Sequence, residues 1–261
     1  MSVNSFLEEL ASSLVLSDFE KTGITTSINV IKYRLKSYFQ DSIVDIVLFG
    51  SYTRGTILPR RYDENSDIDV MVIFKNDQFY KPQTFLNRLK SFAEYWYARS
   101  EIHQSSPTIV LELNHIKFEL VPAYNNEYLN TLYIPWGPSD WMITNPNSFN
   151  TLLTKANSQN FSKIKTSVRL IKLLNINRNS SIFKSFYLES TIAQSCQYPI
   201  PGCLNQTGYL CYLLQQLTWL LQGRCATTIN CIIREIYSAV SSENTGNGEI
   251  ALNKIKNTFR I

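Results

Sequence analysis

The segment Asp67-Ile68-Asp69-Val70 constrains this chain more than any other. It opens a run through Phe74 that is rich in β-branched residues, which spells a strand. Residues two apart on a strand face the same way. Asp67 and Asp69 therefore stand side by side, while Ile68 and Val70 turn towards a core. Two adjacent carboxylates repel each other, and neither is buried cheaply. A cation between them removes that penalty, and hard oxygen ligands select Mg²⁺ or Mn²⁺.

A third acid is expected from a neighbouring strand. Thr108–Leu113 and Ile116–Val121 read as a hairpin turning on Asn114-His115. Ile116, Phe118 and Leu120 alternate on one face, which leaves Glu119 on the other. In this register Glu112 lies opposite Lys117 and reads as a paired surface acid. Glu119 lies opposite Val110 with no local basic partner. That pattern singles out Glu119 as the third metal ligand.

Ahead of the acidic pair, Ile43–Phe49 is a short apolar run that ends in Gly50-Ser51. It reads as a buried strand and a tight turn. Glycine lets the backbone come close to a triphosphate, and the serine hydroxyl and nearby N–H groups can donate to phosphate oxygens. A helix beginning near Ser51 would add its positive end. Arg54 can either bind phosphate or pair with Asp63 or Glu64. A pair of metal ions about 3.5–4 Å apart could then activate a hydroxyl and stabilise leaving pyrophosphate.

The rest of the chain organises around this segment. Two helical patterns come first, the second carrying Ile28, Ile31, Leu35 and Phe39. A helix is expected from Pro82 to Arg99, with Phe85, Leu89, Phe92 and Trp96 on one stripe. Residues 133–148, rich in Pro, Trp, Asn and Ser, read as a crossover. Helices are expected at roughly 147–157, 161–175, 183–195, 206–222, 228–241 and 248–259 from their periodicity. The fold expected is α+β: a catalytic sheet lobe with the N-terminal helices at 1–145, a helical lobe at 146–261, and an active site in the cleft between them. The apolar stripe through Leu210, Leu213, Leu214, Leu217, Trp219, Leu220 and Leu221 is most simply core, with a helix-mediated oligomer as the second reading.

Charge and cysteine content narrow the classes. With 25 basic and 21 acidic residues the net charge is only +4. That excess suits phosphate ligands without demanding a long nucleic-acid template. Cys196, Cys203, Cys211, Cys225 and Cys231 are odd in number and lack C-x-x-C spacing, which disfavours both a disulfide framework and zinc. No stretch reaches the roughly 20 apolar residues of a membrane helix, and the first residues carry acids where a signal peptide has bases. The expected location is cytoplasmic, with no membrane partner.

Gly50-Ser51 followed by Asp67-Ile68-Asp69-Val70 resembles the signature of the polymerase-β nucleotidyltransferase superfamily. Together with Phe118-Glu119-Leu120-Val121-Pro122-Ala123, it resembles more narrowly the CD-NTases, bacterial relatives of cyclic GMP-AMP synthase and oligoadenylate synthase of the SMODS type. Glu119 stands where that group more often has Asp. Val168-Arg169-Leu170-Ile171-Lys172 and Lys184-Ser185-Phe186-Tyr187-Leu188-Glu189 are similar to the family's Lys-helix and Ser-helix. The resemblance implies that Lys172 and Ser185 grip the triphosphate; read alone, Lys172 could snorkel and Ser185 could cap a helix.

The resemblance implies transfer of nucleotidyl units from nucleoside triphosphates to hydroxyls, with two Mg²⁺ or Mn²⁺ ions. The product would be a cyclic or short linear oligonucleotide signal that activates a downstream effector in antiphage defence. Within the same chemistry stand a linear deoxyoligonucleotide maker of the Hailong kind, with priming on a protein hydroxyl, and a toxin-like enzyme that adds nucleotides to tRNA or protein. A non-catalytic nucleotide sensor is disfavoured by the intact acidic trio.

Overall fold

The computed structural model describes residues 1–105, 107–126, 129, 131–178, 183–220 and 224–261. The chain divides into two compact units. One is Leu16–Ser148; the other joins Met1–Val15 to Phe149–Ile261. The fold is α+β, with a sheet unit and a helical unit.

In the sheet unit, α2 (Asp18–Phe39) starts at a capping box. The Ser17 hydroxyl accepts from Glu20 N–H at 3.2 Å, and the Glu20 carboxylate accepts from Ser17 N–H at 2.7 Å. Strand β1 (Ile43–Phe49) leads into the five-residue helix α3 (Gly50–Arg54). Strand β2 (Asp67–Phe74) and helix α4 (Pro82–Trp96) follow. Next come β3 (Glu101–Ser105), β4 (Thr108–Glu112), β5 (Lys117–Asn126), β6 (Thr131–Trp136) and β7 (Asp140–Thr144). The seven-stranded sheet runs β1-β2-β5-β4-β3, with β6 on the far part of β5 and β7 beside β6. Among the described residues, only β2 and β5 pair in parallel.

One face of the sheet packs on α2 and α4. Ile68, Val70, Val72 and Phe74 are all buried there, as are Phe118 and Leu120 from β5 and Phe85, Leu89 and Phe92 from α4. Each such burial is worth about 1.5–3 kcal/mol. This core fixes which face the alternating acids must take. The expected alternation of Asp67 and Asp69 against Ile68 and Val70 is therefore realised.

Three expectations about elements need correction. The 133–148 segment is a hairpin, β6–β7, and not a plain crossover. It turns at Gly137, whose φ of +74° is the left-handed conformation that glycine adopts without strain. Helix α4 ends at Trp96, three residues short of Arg99, with Tyr97 as its cap. The first helix, α1 (Val3–Ser13), packs in the helical unit and not with the catalytic sheet. Its Glu8 accepts from Lys163 at 2.8 Å, and its Asn4 accepts from Thr207 N–H at 3.2 Å.

The helical unit continues with α5 (Pro146–Gln159), α6 (Lys163–Asn177), α7 (Ser185–Ser195), α8 (Gln206–Leu220), α9 (Arg224–Asn244) and α10 (Gly248–Phe259). Leu210, Leu213, Leu214 and Leu217 of α8 are buried, so most of that stripe is core. Trp219 is exposed, while Leu221 and the side chain of Leu220 lie outside the described residues. No described helix is long and apolar enough to cross a membrane.

Candidate active site

The site assembles on the sheet face opposite the α2–α4 core. Asp67 and Asp69 open β2, and the parallel register sets Asp67 beside Lys117 and Asp69 beside Glu119. On its other edge β5 pairs with β4, placing Glu119 opposite Val110 and Glu112 opposite Lys117. The hairpin register read from the sequence is the observed one.

The side chains partner differently from expectation. Lys117 does not turn to Glu112. Its Nζ lies 3.7 Å from Asp67 Oδ2 and 3.7 Å from Glu119 Oε1. Glu119 thus has a basic neighbour after all. The reason is strand geometry: Lys117 and Glu119 are two apart and share a face, which the parallel partner Asp67 also faces. Glu112 pairs instead with Arg60 at 2.6 Å. Arg60 also donates to the carbonyls of Glu64, at 2.7 Å, and Leu113, at 3.3 Å. It pins the loop between α3 and β2 to the end of β4. Ser66 completes that anchoring by donating to Leu58 O at 2.7 Å in a buried position. The two-residue spacing of Lys117 and Glu119 carries the signal for the first of these contacts, whereas no spacing in the sequence points from Arg60 to Glu112.

Gly50 has a sharper reason to be glycine than approach to a triphosphate alone. Its φ is +78°, and a Cβ there would stand 1.6 Å from Asp69 Oδ2. The Asp69 carboxylate occupies the space that any other residue would fill. Ser51 follows in α3, and its carbonyl accepts from Thr56 N–H at 2.9 Å and Ile57 N–H at 3.1 Å, closing the turn. Arg54 ends α3 in a buried position. The Glu64 carbonyl is taken by Arg60.

Burial, then the negative charge of Glu119, pushes the Asp67 carboxyl up to about 6, with Lys117 opposing the rise. That is the electrostatic signature of acids crowded without enough positive charge. Among the described residues, no three His, Cys, Asp or Glu side chains are gathered tightly enough to hold a metal ion as they stand. The donors and their shared face nevertheless suit a hard divalent cation. The space over Gly50 lets the Asp69 carboxylate lie close against the turn.

In the helical unit, Lys172 is buried and its Nζ lies 2.5 Å from Glu189 Oε1, tying α6 to α7. Ser185 is exposed as the first residue of α7, and Lys184 holds the cap position. Tyr124 stacks on Tyr133 with ring centroids 5.0 Å apart and planes 9° from parallel, as rim packing requires.

A family model described as the Second Messenger Oligonucleotide or Dinucleotide Synthetase domain, SMODS, matches residues 1–157. The chain belongs to that family. The SMODS family is one of nucleotidyltransferases, and this chain is therefore a CD-NTase-like nucleotidyltransferase. A probable cyclic nucleotide synthase from Bacillus cereus is 31% identical over 102 residues, 37% of this chain. The alignment spans 30% of that relative's length. The fold is shared with the Bradyrhizobium diazoefficiens CD-NTase CdnG, solved with GTP, at a TM-score of 0.77 and 11% identity over 98% of each chain. It is shared equally with the Vibrio cholerae cyclic AMP-GMP synthase DncV, solved with a linear pppA(3′,5′)pG intermediate. There the TM-score is 0.77 and identity 12%, over 96% of this SMODS chain and 92% of that one.

Proposed function

We propose that this chain is a cytoplasmic, divalent-metal-dependent nucleotidyltransferase that joins nucleoside triphosphates, without a template, into a cyclic or short linear oligonucleotide signal for antiphage defence. One observation carries the reading. Asp69 and Glu119 are register partners on adjacent parallel strands, Asp67 shares their face, and Asp69 lies over a glycine that cannot be replaced without a collision.

Asp67, Asp69 and Glu119 would hold the metal. Bound Mg²⁺ or Mn²⁺ would supply Lewis acidity to the attacking hydroxyl and charge neutralisation to the triphosphate. The Gly50-Ser51 turn would bring backbone N–H groups and the Ser51 hydroxyl to phosphate oxygens beside the Asp69 carboxylate, which takes the space of the missing Gly50 Cβ. Ser185, exposed at the start of α7, offers a further hydroxyl for the triphosphate. A phosphate contact by Lys172 would require its ammonium to be shared with, or released from, Glu189. The net charge of +4 and the absence of any long Lys/Arg run support nucleotides over a long template strand as the substrate.

The reading is tested by incubating purified protein with all ribo- and deoxyribonucleoside triphosphates and Mg²⁺ or Mn²⁺, then identifying products by mass spectrometry. Oligonucleotides and pyrophosphate are expected, and both should vanish with EDTA. Nucleotide attached to the protein or to added tRNA, with no free oligonucleotide, would instead favour the toxin-like reading. Products built from deoxynucleotides alone would favour the linear deoxyoligonucleotide reading.

A further inference from the structure

Lys117 stands inside the carboxylate group, and this inference rests on the metal-site reading above. Its Nζ is 3.7 Å from both Asp67 Oδ2 and Glu119 Oε1, and its side chain is only 16% exposed. The carboxylate that could have drawn it outward, cross-strand Glu112, is held by Arg60 at 2.6 Å. Asp67, Asp69, Glu119 and Lys117 thus form one charged group on one face of β2 and β5, with acids in excess. The acids are not converged on a common point as they stand.

An ammonium and a divalent cation compete for the same oxygens. They also repel each other when forced to share them, most strongly where water is partly excluded. We propose that Lys117 is a built-in counter-cation of the metal site. It holds Asp67 and Glu119 while no metal is bound, and it must leave them before they can turn onto a metal. The nucleotide-free enzyme therefore takes metal weakly. A polyanionic triphosphate offsets the extra positive charge, so metal and nucleotide enter together more readily than metal alone. Lysine suits this task because its charge rides on a flexible four-carbon stem that can swing aside without moving the strand. Lys117 is a positioning residue in this account, acting through Asp67 and Glu119.

The test is Mn²⁺ binding to the full chain without nucleotide, followed by the electron paramagnetic resonance signal of free Mn²⁺. Lys117→Met and Lys117→Gln are expected to bind Mn²⁺ about tenfold more tightly than the parent, the effect of removing one nearby positive charge. Lys117→Arg keeps the charge and is expected to bind no more tightly than the parent. Adding a non-hydrolysable ATP analogue should narrow the gap between parent and Lys117→Met. Unchanged or weaker Mn²⁺ binding in the neutral variants, with clear binding by the parent, would overturn the counter-cation role. Tighter binding by Lys117→Arg would overturn it equally, even if the neutral variants failed to fold. If parent and variants all bind no Mn²⁺, and Asp69→Asn behaves the same, the metal-site reading itself fails and takes this inference with it.

Discussion

The Asp69 carboxylate lies over Gly50 so closely that a Cβ on Gly50 would stand 1.6 Å from Asp69 Oδ2. The turn and the acid are thus one structural unit, although 18 residues, including the rest of α3, separate them in the chain. Gly50→Ala would strain a φ of +78° and displace Asp69 at the same time. A shift of about 1 Å at a reacting centre costs on the order of a hundredfold in rate. Gly50→Ala is expected to lose at least that much turnover, measured as pyrophosphate release. Gly55→Ala is the control, since its φ is also left-handed but its Cβ would meet nothing within 4 Å. That variant should lose stability without a comparable loss of rate.

Glu119 and Glu112 make a second contrast. Both are on strands of one hairpin, but Glu119 joins the acids of β2 whereas Glu112 is tied to Arg60. Glu119→Gln is expected to lower kcat/KM by about a hundredfold or more, the equivalent of several kcal/mol of lost charge stabilisation. Glu112→Gln removes a partly exposed ion pair worth about 0–1 kcal/mol, so its rate should stay within about fivefold of the parent. Parallel steady-state rates of the two variants decide the matter. Equal losses would mean that Glu119 is not the third ligand.

Lys172 and Glu189 form a pair with side chains only 8% and 0% exposed. Removing one member takes the oppositely charged partner from a buried group, at a cost of about 3–5 kcal/mol. Lys172→Ala should therefore lower the urea midpoint sharply, and the Lys172→Met/Glu189→Leu double variant should recover most of the loss. A Lys172→Ala protein of normal stability with a raised KM for nucleotide would instead assign Lys172 mainly to the triphosphate.

The sequence shows the acidic strand and its core face with particular clarity, because Asp67–Phe74 alternates until it becomes wholly apolar and β4–β5 turns on one short polar link. Strand β3 (Glu101–Ser105) is not legible, since its residues are mostly polar and exposed and its place at the sheet edge is set by pairing with β4. The β6–β7 hairpin is hidden by Pro135 and the Trp136-Gly137-Pro138 turn, which read locally as linker. The site shows the same division. Asp67, Asp69 and Glu119 follow from two-residue periodicity. Arg60 could not be assigned to Glu112 because a loop brings together residues far apart in the chain. The collision that reserves position 50 for glycine depends on where the Asp69 side chain ends, which no spacing rule supplies.

The thiols offer a check on the helical unit that needs no nucleotide. Burial pushes Cys196 and Cys211 up to about 12, far above neutrality, whereas Cys231 is exposed. The thiolate is the reactive form. Native protein at pH 8 is expected to leave Cys196 and Cys211 unmodified by iodoacetamide while Cys231 reacts, and urea should release all five. Rapid labelling of Cys196 or Cys211 in native protein would contradict the packing of α7 and α8.

The central claim is that Asp67 and Asp69 hold the metal for untemplated nucleotide joining. The most direct measurement compares the parent chain, treated with nuclease and supplied with nucleoside triphosphates and Mg²⁺ but no nucleic acid, with the Asp67→Ala/Asp69→Ala double variant. The account predicts short oligonucleotides from the parent and none from the variant, with the variant folded and at least as heat-stable in the absence of metal, since like charges have been removed. Near-normal synthesis by the double variant, or synthesis by the parent only when a DNA or RNA strand is supplied and copied, would contradict it.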